Sequence, residues 1–390
     1  MISRHPRTVM VLLAFLTAFT LHLLLFSYAP LISPLITEMG ISHAQAGAAF
    51  SICILAVIMM RVPWGFLIDR IGFAKAIKIA MLLISIFGIL RSFSLNYEML
   101  LVFQFFLGVG FAAVLPCLSK LVSVWAGRKV GSASGIYVAG FPAGEATAFT
   151  LTAYLLLLFG NWRFSLLIFG FWSLLLLFLW LIFGKEPSES RLEVTLDSRT
   201  SFGANFMELI RLREVWILTG LCVLSMGAYD TLLTWLPKIL EFRGFRLSAM
   251  WPLASMLPLG FLVSGLSIGF ASDRVRSKKA LLTVLGAAGG SVTPLISFSS
   301  GILLPLTIFS VGFCTTGIIT LILIMPIELP RTRSRVGSTV GLVSSIGNAG
   351  PFLFPILLGY IMDIGGSIFL PMLMLSVIIG IAAILSLCIR

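Results

Sequence analysis

Five ionisable side chains stand in apolar runs where a polar group needs a reason. Arg61 lies eight residues before Asp69, which is about 12 Å along a helix and close to half of a hydrocarbon core about 30 Å thick. An arginine at that depth costs about 2.5 to 3.5 kcal/mol on insertion scales, so it faces a partner or a water-filled path, and its charge suits it to hold an anion. Glu145, next to Gly144 in another apolar run, has to be either paired or protonated. If it reaches Arg61, a bound anion and the ionised carboxylate compete for one guanidinium, and protonating Glu145 frees the site. The alternatives are a permanent pair of Arg61 with Glu145, or a hydrogen bond to a neighbouring helix. His22 contributes an imidazole, a group that exchanges protons near neutral pH, although a lone histidine among helices also serves as a packing residue. Lys120, one turn inside the end of its run, adds positive potential to a vestibule or snorkels to the interface. Asp230 suits an outer gate or proton coupling, and Tyr137, Tyr229 and Trp235 are the aromatics expected near a cavity.

This is chemistry for holding an anion and moving a proton, and nothing in the chain suggests an enzyme. No nucleophile with its base, metal cluster or phosphate loop stands out. The cysteines, Cys53, Cys117, Cys222, Cys314 and Cys388, fall in apolar segments without a ligand-like spacing; core packing is expected, with no disulfide, metal or cofactor.

The elements that must position these groups are long apolar helices. Of the 390 residues 59% are hydrophobic and 11% charged, outside the range of soluble domains. Runs of twenty or more apolar residues recur, so an all-α membrane protein is expected and a β-barrel is not. The start of the chain mimics a signal peptide, but its apolar run is too long and lacks a cleavage site, so it is read as the first span. Helices are expected at about 8–30, 44–68, 74–95, 98–124, 130–159, 163–184, 214–238, 248–272, 279–298, 301–325, 336–361 and 367–388. The formal charge of +12 does not point to nucleic acid, because most of the basic residues fall in loops on one side of the membrane. Those loops hold Arg70, Lys75, Arg128, Lys129, Arg274, Lys278, Arg331 and Arg335, whereas Arg91, Arg163, Lys238, Arg243 and Arg246 lie opposite. By the positive-inside rule both termini face the cytoplasm, consistent with an even number of spans.

The chain also repeats itself. Gly65-Phe-Leu-Ile-Asp69-Arg70 returns as Gly269-Phe-Ala-Ser-Asp273-Arg274, and Val130-Gly-Ser with Gly144 returns as Val336-Gly-Ser with Gly350. Two matches at nearly one offset argue for parallel six-helix halves, 1–184 and 214–390, with a substrate site between them near the midplane. The polar stretch 185–213 reads as a cytoplasmic linker with one short surface helix.

The turn Gly65-x-x-x-Asp69-Arg70-x-Gly72-x-x-Lys75, echoed at Gly269, Asp273 and Arg274, resembles the major facilitator superfamily, and the resemblance covers the full length. It implies twelve helices in two bundles and alternating access. Gly65, Asp69, Arg70, Gly72, Gly269, Asp273 and Arg274 would then latch an inner gate: Gly65 lets helices approach, and Asp69 accepts from a helix N-terminus elsewhere in the bundle. Arg61-Val62-Pro63 resembles the nitrate/nitrite porters, in which such an arginine binds the anion. Leu115-Pro-Cys-Leu-Ser-Lys120, Gly135-Ile-Tyr137-Val-Ala-Gly140-Phe-Pro142 and Thr234-Trp235-Leu-Pro237 resemble the cyanate-type anion porters. Gly265 stands where the nitrate/nitrite pattern has a second arginine, and Gln104 replaces a fourth-span arginine common in the superfamily. A larger or asymmetric organic anion is therefore expected over nitrate. The implied substrate-binding residues are Arg61, Glu145, Lys120, Tyr137 and His22, with Glu145 and Asp230 for proton coupling. The function implied is import of a small anion with protons by a monomer in the cytoplasmic (inner) membrane, in contact with lipid. Proton-antiport efflux of amphipathic compounds and a non-transporting sensor are the alternatives.

Overall fold

The computed structural model describes residues 4–126, 130–186, 209–275, 277–327, 329, 336–365 and 367–389. Among them every regular element is helical, and twelve spans are long and apolar enough to cross a membrane. The linker from 187 to 208 and the loop basic residues Arg128, Lys129, Arg331 and Arg335 lie outside the described residues.

In the first part of the chain α1 spans Arg4–Phe26, α2 Ile32–Met39, α3 His43–Ile71 and α4 Phe73–Leu90; α5 spans Tyr97–Ala126, α6 Val130–Phe159 and α7 Trp162–Phe183. In the second part α8 spans Arg213–Phe242, α9 Leu247–Ala254, α10 Met256–Arg274 and α11 Lys278–Val292; α12 spans Leu303–Ile324, α13 Val336–Gly347, α14 Ala349–Gly365 and α15 Phe369–Ser386. The expected eighth and eleventh helices are each broken, into α9 with α10 and into α13 with α14. Proline explains both breaks. Pro258 and Pro351 carry no N–H, so the carbonyls of Ala254 and Gly347 lose their partners four residues on. At the second break the Asn348 amide donates to the Ser344 carbonyl at 2.7 Å.

Contacts divide the chain into two units, Met1–Ile41 with Ile52–Thr200, and Ser42–Ser51 with Ser201–Arg390. In the first unit α1 packs most extensively on α6, and α4 packs on α5 and α7. Glycines set the close crossings. A Cβ at Gly140 or Gly144 would land on the α1 backbone at Phe15 or Phe19, and one at Gly108 would land on the Cys53 carbonyl. Gly65 and Gly269 do not play this part: a Cβ at either would meet nothing within 4 Å. The close approach expected at Gly65 is thus made by glycines deeper in the helices, where backbones cross.

Two residues counted among loops or core lie elsewhere. Arg91 is buried, and its guanidinium donates to the Leu24 carbonyl at 2.8 Å and to Ser27 Oγ at 3.0 Å, just past the end of α1. That satisfies carbonyl and hydroxyl acceptors a helix end leaves over. Cys388 is exposed, unlike the other four cysteines, because it follows the last turn of α15.

Candidate functional site

The centre of the first unit is built where α1 crosses α6. On α6, Tyr137, Phe141 and Glu145 recur every four residues and share one face. Glu145 is fully buried, and His22 Nδ1 lies 2.6 Å from its Oε1. The imidazole, 20% exposed, is flanked by Phe141 with ring centroids 4.5 Å apart and by Phe26 at 5.4 Å. Tyr137 is buried and meets Phe141 edge-on at 6.3 Å.

The sequence fixes this meeting from both sides of α1. Gly140 and Gly144 let α6 ride on its backbone. On the other side the indoles of Trp180 and Trp172 donate to Thr17 Oγ1 and Thr20 Oγ1, each at 2.9 Å. At about 100° per residue, Thr17 and Thr20 lie roughly opposite His22 on the helix wheel. The two tryptophans of α7 therefore set the rotation of α1 that turns His22 toward Glu145.

Arg61 is half-buried on α3, one residue before Val62 and Pro63. Glu145 has His22, on the neighbouring helix α1, as a partner. Lys120, expected at a vestibule or snorkelling to the interface, reaches the turn: its Nζ is 2.9 Å from Asp69 Oδ1. Asp69, expected to cap a helix elsewhere in the bundle, has this lysine as its partner within its own unit. The reason is reach, because Lys120 sits near the end of α5 and its long stem spans to the end of α3. Arg70 is exposed. Gly72 begins α4 with φ +85°, which only glycine adopts without strain, and the Glu186 carboxylate lies against it. An acidic group at a helix N-terminus is favourable. Asp273 and Arg274 are exposed at the end of α10. Asp230 is half-buried, and its carbonyl accepts from Thr234 Oγ1 at 2.7 Å. Tyr229 and Trp235 are buried.

The second unit repeats the crossing without its polar pair. A Cβ at Gly350 would land on the Val223 carbonyl of α8, as one at Gly144 lands on Phe19. Counting on from those contacts, the places of His22 and Glu145 are taken by Met226 and Pro351.

The second unit also holds a site that spacing did not reveal. Asp363 on α14 accepts three hydrogen bonds from the start of α3: His43 N–H at 2.9 Å, His43 Nδ1–H at 2.7 Å and Ala44 N–H at 2.9 Å. Ser42 and Gln45 complete the cap reciprocally, with Gln45 Oε1 accepting from Ser42 N–H at 2.8 Å and Ser42 Oγ from Gln45 N–H at 3.2 Å. The Ser-x-x-Gln spacing was a legible capping box. Nothing local marked Asp363, 320 residues away. Glu38 is a comparable case in the first unit, accepting from the Trp162 indole at 2.6 Å and from Arg163 at 2.5 Å.

These helices, twelve spans of them long and apolar enough to cross a membrane, define a multi-pass membrane protein. Residues 14–333 match the Major Facilitator Superfamily profile, and the chain belongs to that superfamily. It is 25% identical to the gentisate transporter of Corynebacterium glutamicum over 87% of this chain and 77% of that one. It is also 25% identical to the probable sulfoacetate transporter SauU of Cupriavidus necator, over 92% of this chain and 88% of that one. Its fold is similar to the crystal structure of a bacterial homologue of the human lysosomal transporter Spinster, with a TM-score of 0.78 at 18% identity over 99% of this chain and 97% of that one. Membership makes the protein a transporter and not an enzyme.

Proposed function

We propose that the protein imports a small organic anion together with protons across the cytoplasmic (inner) membrane by alternating access, with Arg61 holding the anion and Glu145 taking the proton. In this reading both termini and the 185–213 linker face the cytoplasm, the working unit is a lipid-embedded monomer of halves 1–184 and 214–390, and the Asp-Arg turns latch the inner gate. The observation that carries the reading lies within one unit, where an arginine sits inside the apolar helix α3 and a fully buried carboxylate on α6 is held by an imidazole. Such groups are costly in a membrane protein and cluster on substrate and proton paths. The named substrates of the two related transporters, gentisate and sulfoacetate, are organic anions, which supports the charge of the ligand. Gly265, opposite in the repeat to Arg61, supports a single fixed cation in place of a symmetrical clamp.

The test is thermal stabilisation of the purified protein by a panel of anions: nitrate, cyanate, aromatic and aliphatic carboxylates, and sulfonates. A ligand that binds the folded state at about 100 times its Kd adds about 2.7 kcal/mol of stability, which reads as a raised Tm. An organic anion is expected to stabilise wild type and to lose that effect in Arg61→Ala. Equal responses of the two proteins, or none from any anion, would make Arg61 structural and remove the anion reading.

A further inference from the structure

We propose that His22 is the relay through which Glu145 exchanges its proton, an inference that rests on the reading of Glu145 as the proton site. Glu145 is fully buried, whereas the imidazole bonded to it is 20% exposed. A carboxylate can only accept, so while Glu145 is ionised the His22 nitrogen 2.6 Å from it must carry the hydrogen. That leaves Nε2 as the nitrogen without the hydrogen, on a ring with Phe26 and Phe141 as its aromatic neighbours. A proton arriving at Nε2 lets the Nδ1 proton pass to Glu145 Oε1. The pair goes from one negative charge to none, His22 ends neutral with its hydrogen on Nε2, and the new carboxyl donates back to Nδ1. Loss of a proton runs the same steps in reverse and restores the first tautomer. One proton enters, one is stored, and no other bond changes.

The surroundings keep this exchange local. Arg91, the charged group beside the end of α1, donates to Leu24 and Ser27, and Leu24 points about 200° away from His22 on the helix. From α7 the groups facing α1 are the indoles of Trp172 and Trp180, which do not titrate and bond the far side. On the α6 face that carries Glu145 the other titratable group is Tyr137, separated from the imidazole by Phe141; α5, which also packs on α1, carries Tyr97, Glu98, Cys117 and Lys120, the last paired with Asp69. Arg61, on α3 in the same unit, is the fixed cation of the proposed anion site. The second unit, with Met226 and Pro351 in these places, has no equivalent relay at its own crossing.

The experiment follows the infrared carbonyl band of a protonated buried carboxyl after a pH jump on the purified full-length protein, assigning the band to Glu145 by its loss in Glu145→Gln. In His22→Gln the band is expected to reach the same final intensity about a hundredfold more slowly, and added imidazole is expected to restore the rate. Restoration by a small base is something a merely structural role would not produce. An unchanged rate in His22→Gln overturns the relay while leaving Glu145 as the proton site. Absence of any Glu145 band in wild type at every pH removes the proton site and the relay together. Should His22→Gln not fold, wild type labelled with ¹⁵N-histidine decides, since the chain has three histidines and their signals are assignable. The relay requires His22 to move from the Nδ1–H to the Nε2–H tautomer as the Glu145 band appears, and one unchanging tautomer overturns it.

Discussion

Lys120 and Asp69, 2.9 Å apart, separate two uses of one lysine. If Lys120 contacts substrate, Lys120→Met weakens anion binding. If it belongs to the turn, binding survives and the rate of transport changes. The exposed position of Asp69, at 69%, makes the pair worth only about 0.2 to 1 kcal/mol. The expected outcome is an unaltered anion-induced Tm shift in Lys120→Met with altered flux, and a small coupling energy in the double-mutant cycle with Asp69→Asn. A lost Tm shift would return Lys120 to the substrate site. The residues legible from sequence alone were those whose cost is visible locally. Arg61 and Glu145 interrupt apolar runs, and Asp69, Arg70 and Gly72 recur as a spaced motif. Asp363, Glu38 and the partnership of Lys120 were illegible because a surface-compatible charge near a helix end looks ordinary until its distant partner is known.

Elements carry the next level, and there the glycines decide. A Cβ at Gly144 would strike backbone atoms of Phe19 and Leu23, whereas one at Gly135 on the same helix would meet open space. Backbone cannot swing aside as a side-chain end can, so Gly144→Ala is expected to cost about 1 to 3 kcal/mol through overpacking. Gly135→Ala is expected to be neutral or slightly stabilising, because alanine is the better helix former by about 1 kcal/mol. Thermal unfolding of the two variants checks this directly, and equal Tm values would mean that the crossing is looser than its contacts imply. The start of α3 gives a second prediction. Asp363→Ala removes the acceptor from the His43 and Ala44 amides, leaving the Ser42–Gln45 capping box alone. A lost cap is worth about 0.5 to 2 kcal/mol. Hydrogen exchange of the first turn of α3 should then quicken while the middle of the helix, around Trp64, keeps its protection. Uniform exchange along α3 in the variant would show that Asp363 does not hold that end. Helix positions followed from hydropathy closely, as in the 130–159 segment, which matches α6. The breaks after Ala254 and Gly347 did not, because an apolar run continues across a proline even where its hydrogen bonds cannot.

At the scale of the whole molecule, the repeat and its departures point in different directions. Backbone crossings obey the repeat, since Gly144 on Phe19 and Gly350 on Val223 are equivalent contacts. Polar groups break it: Arg61 answers to Gly265, His22 to Met226 and Glu145 to Pro351. The packing that two similar halves require is therefore duplicated, and the polar side chains at these three places are not. The twofold pattern was readable because it is written in short motifs at a constant offset. The pairing of His22 with Glu145 was not, because it depends on the rotation of α1 set by Trp172 and Trp180 from another helix. If coupling resides in the first half alone, then with an anion that passes the stabilisation test, Glu145→Gln should lose accumulation driven by a pH gradient about tenfold or more. The same variant should keep substrate counterflow, which needs no net proton movement. Met226→Leu, at the corresponding place in the second half, should keep both. Loss of gradient-driven uptake in Met226→Leu to the same extent would mean that coupling is spread over both halves, and the asymmetry would then concern only the shape of the anion.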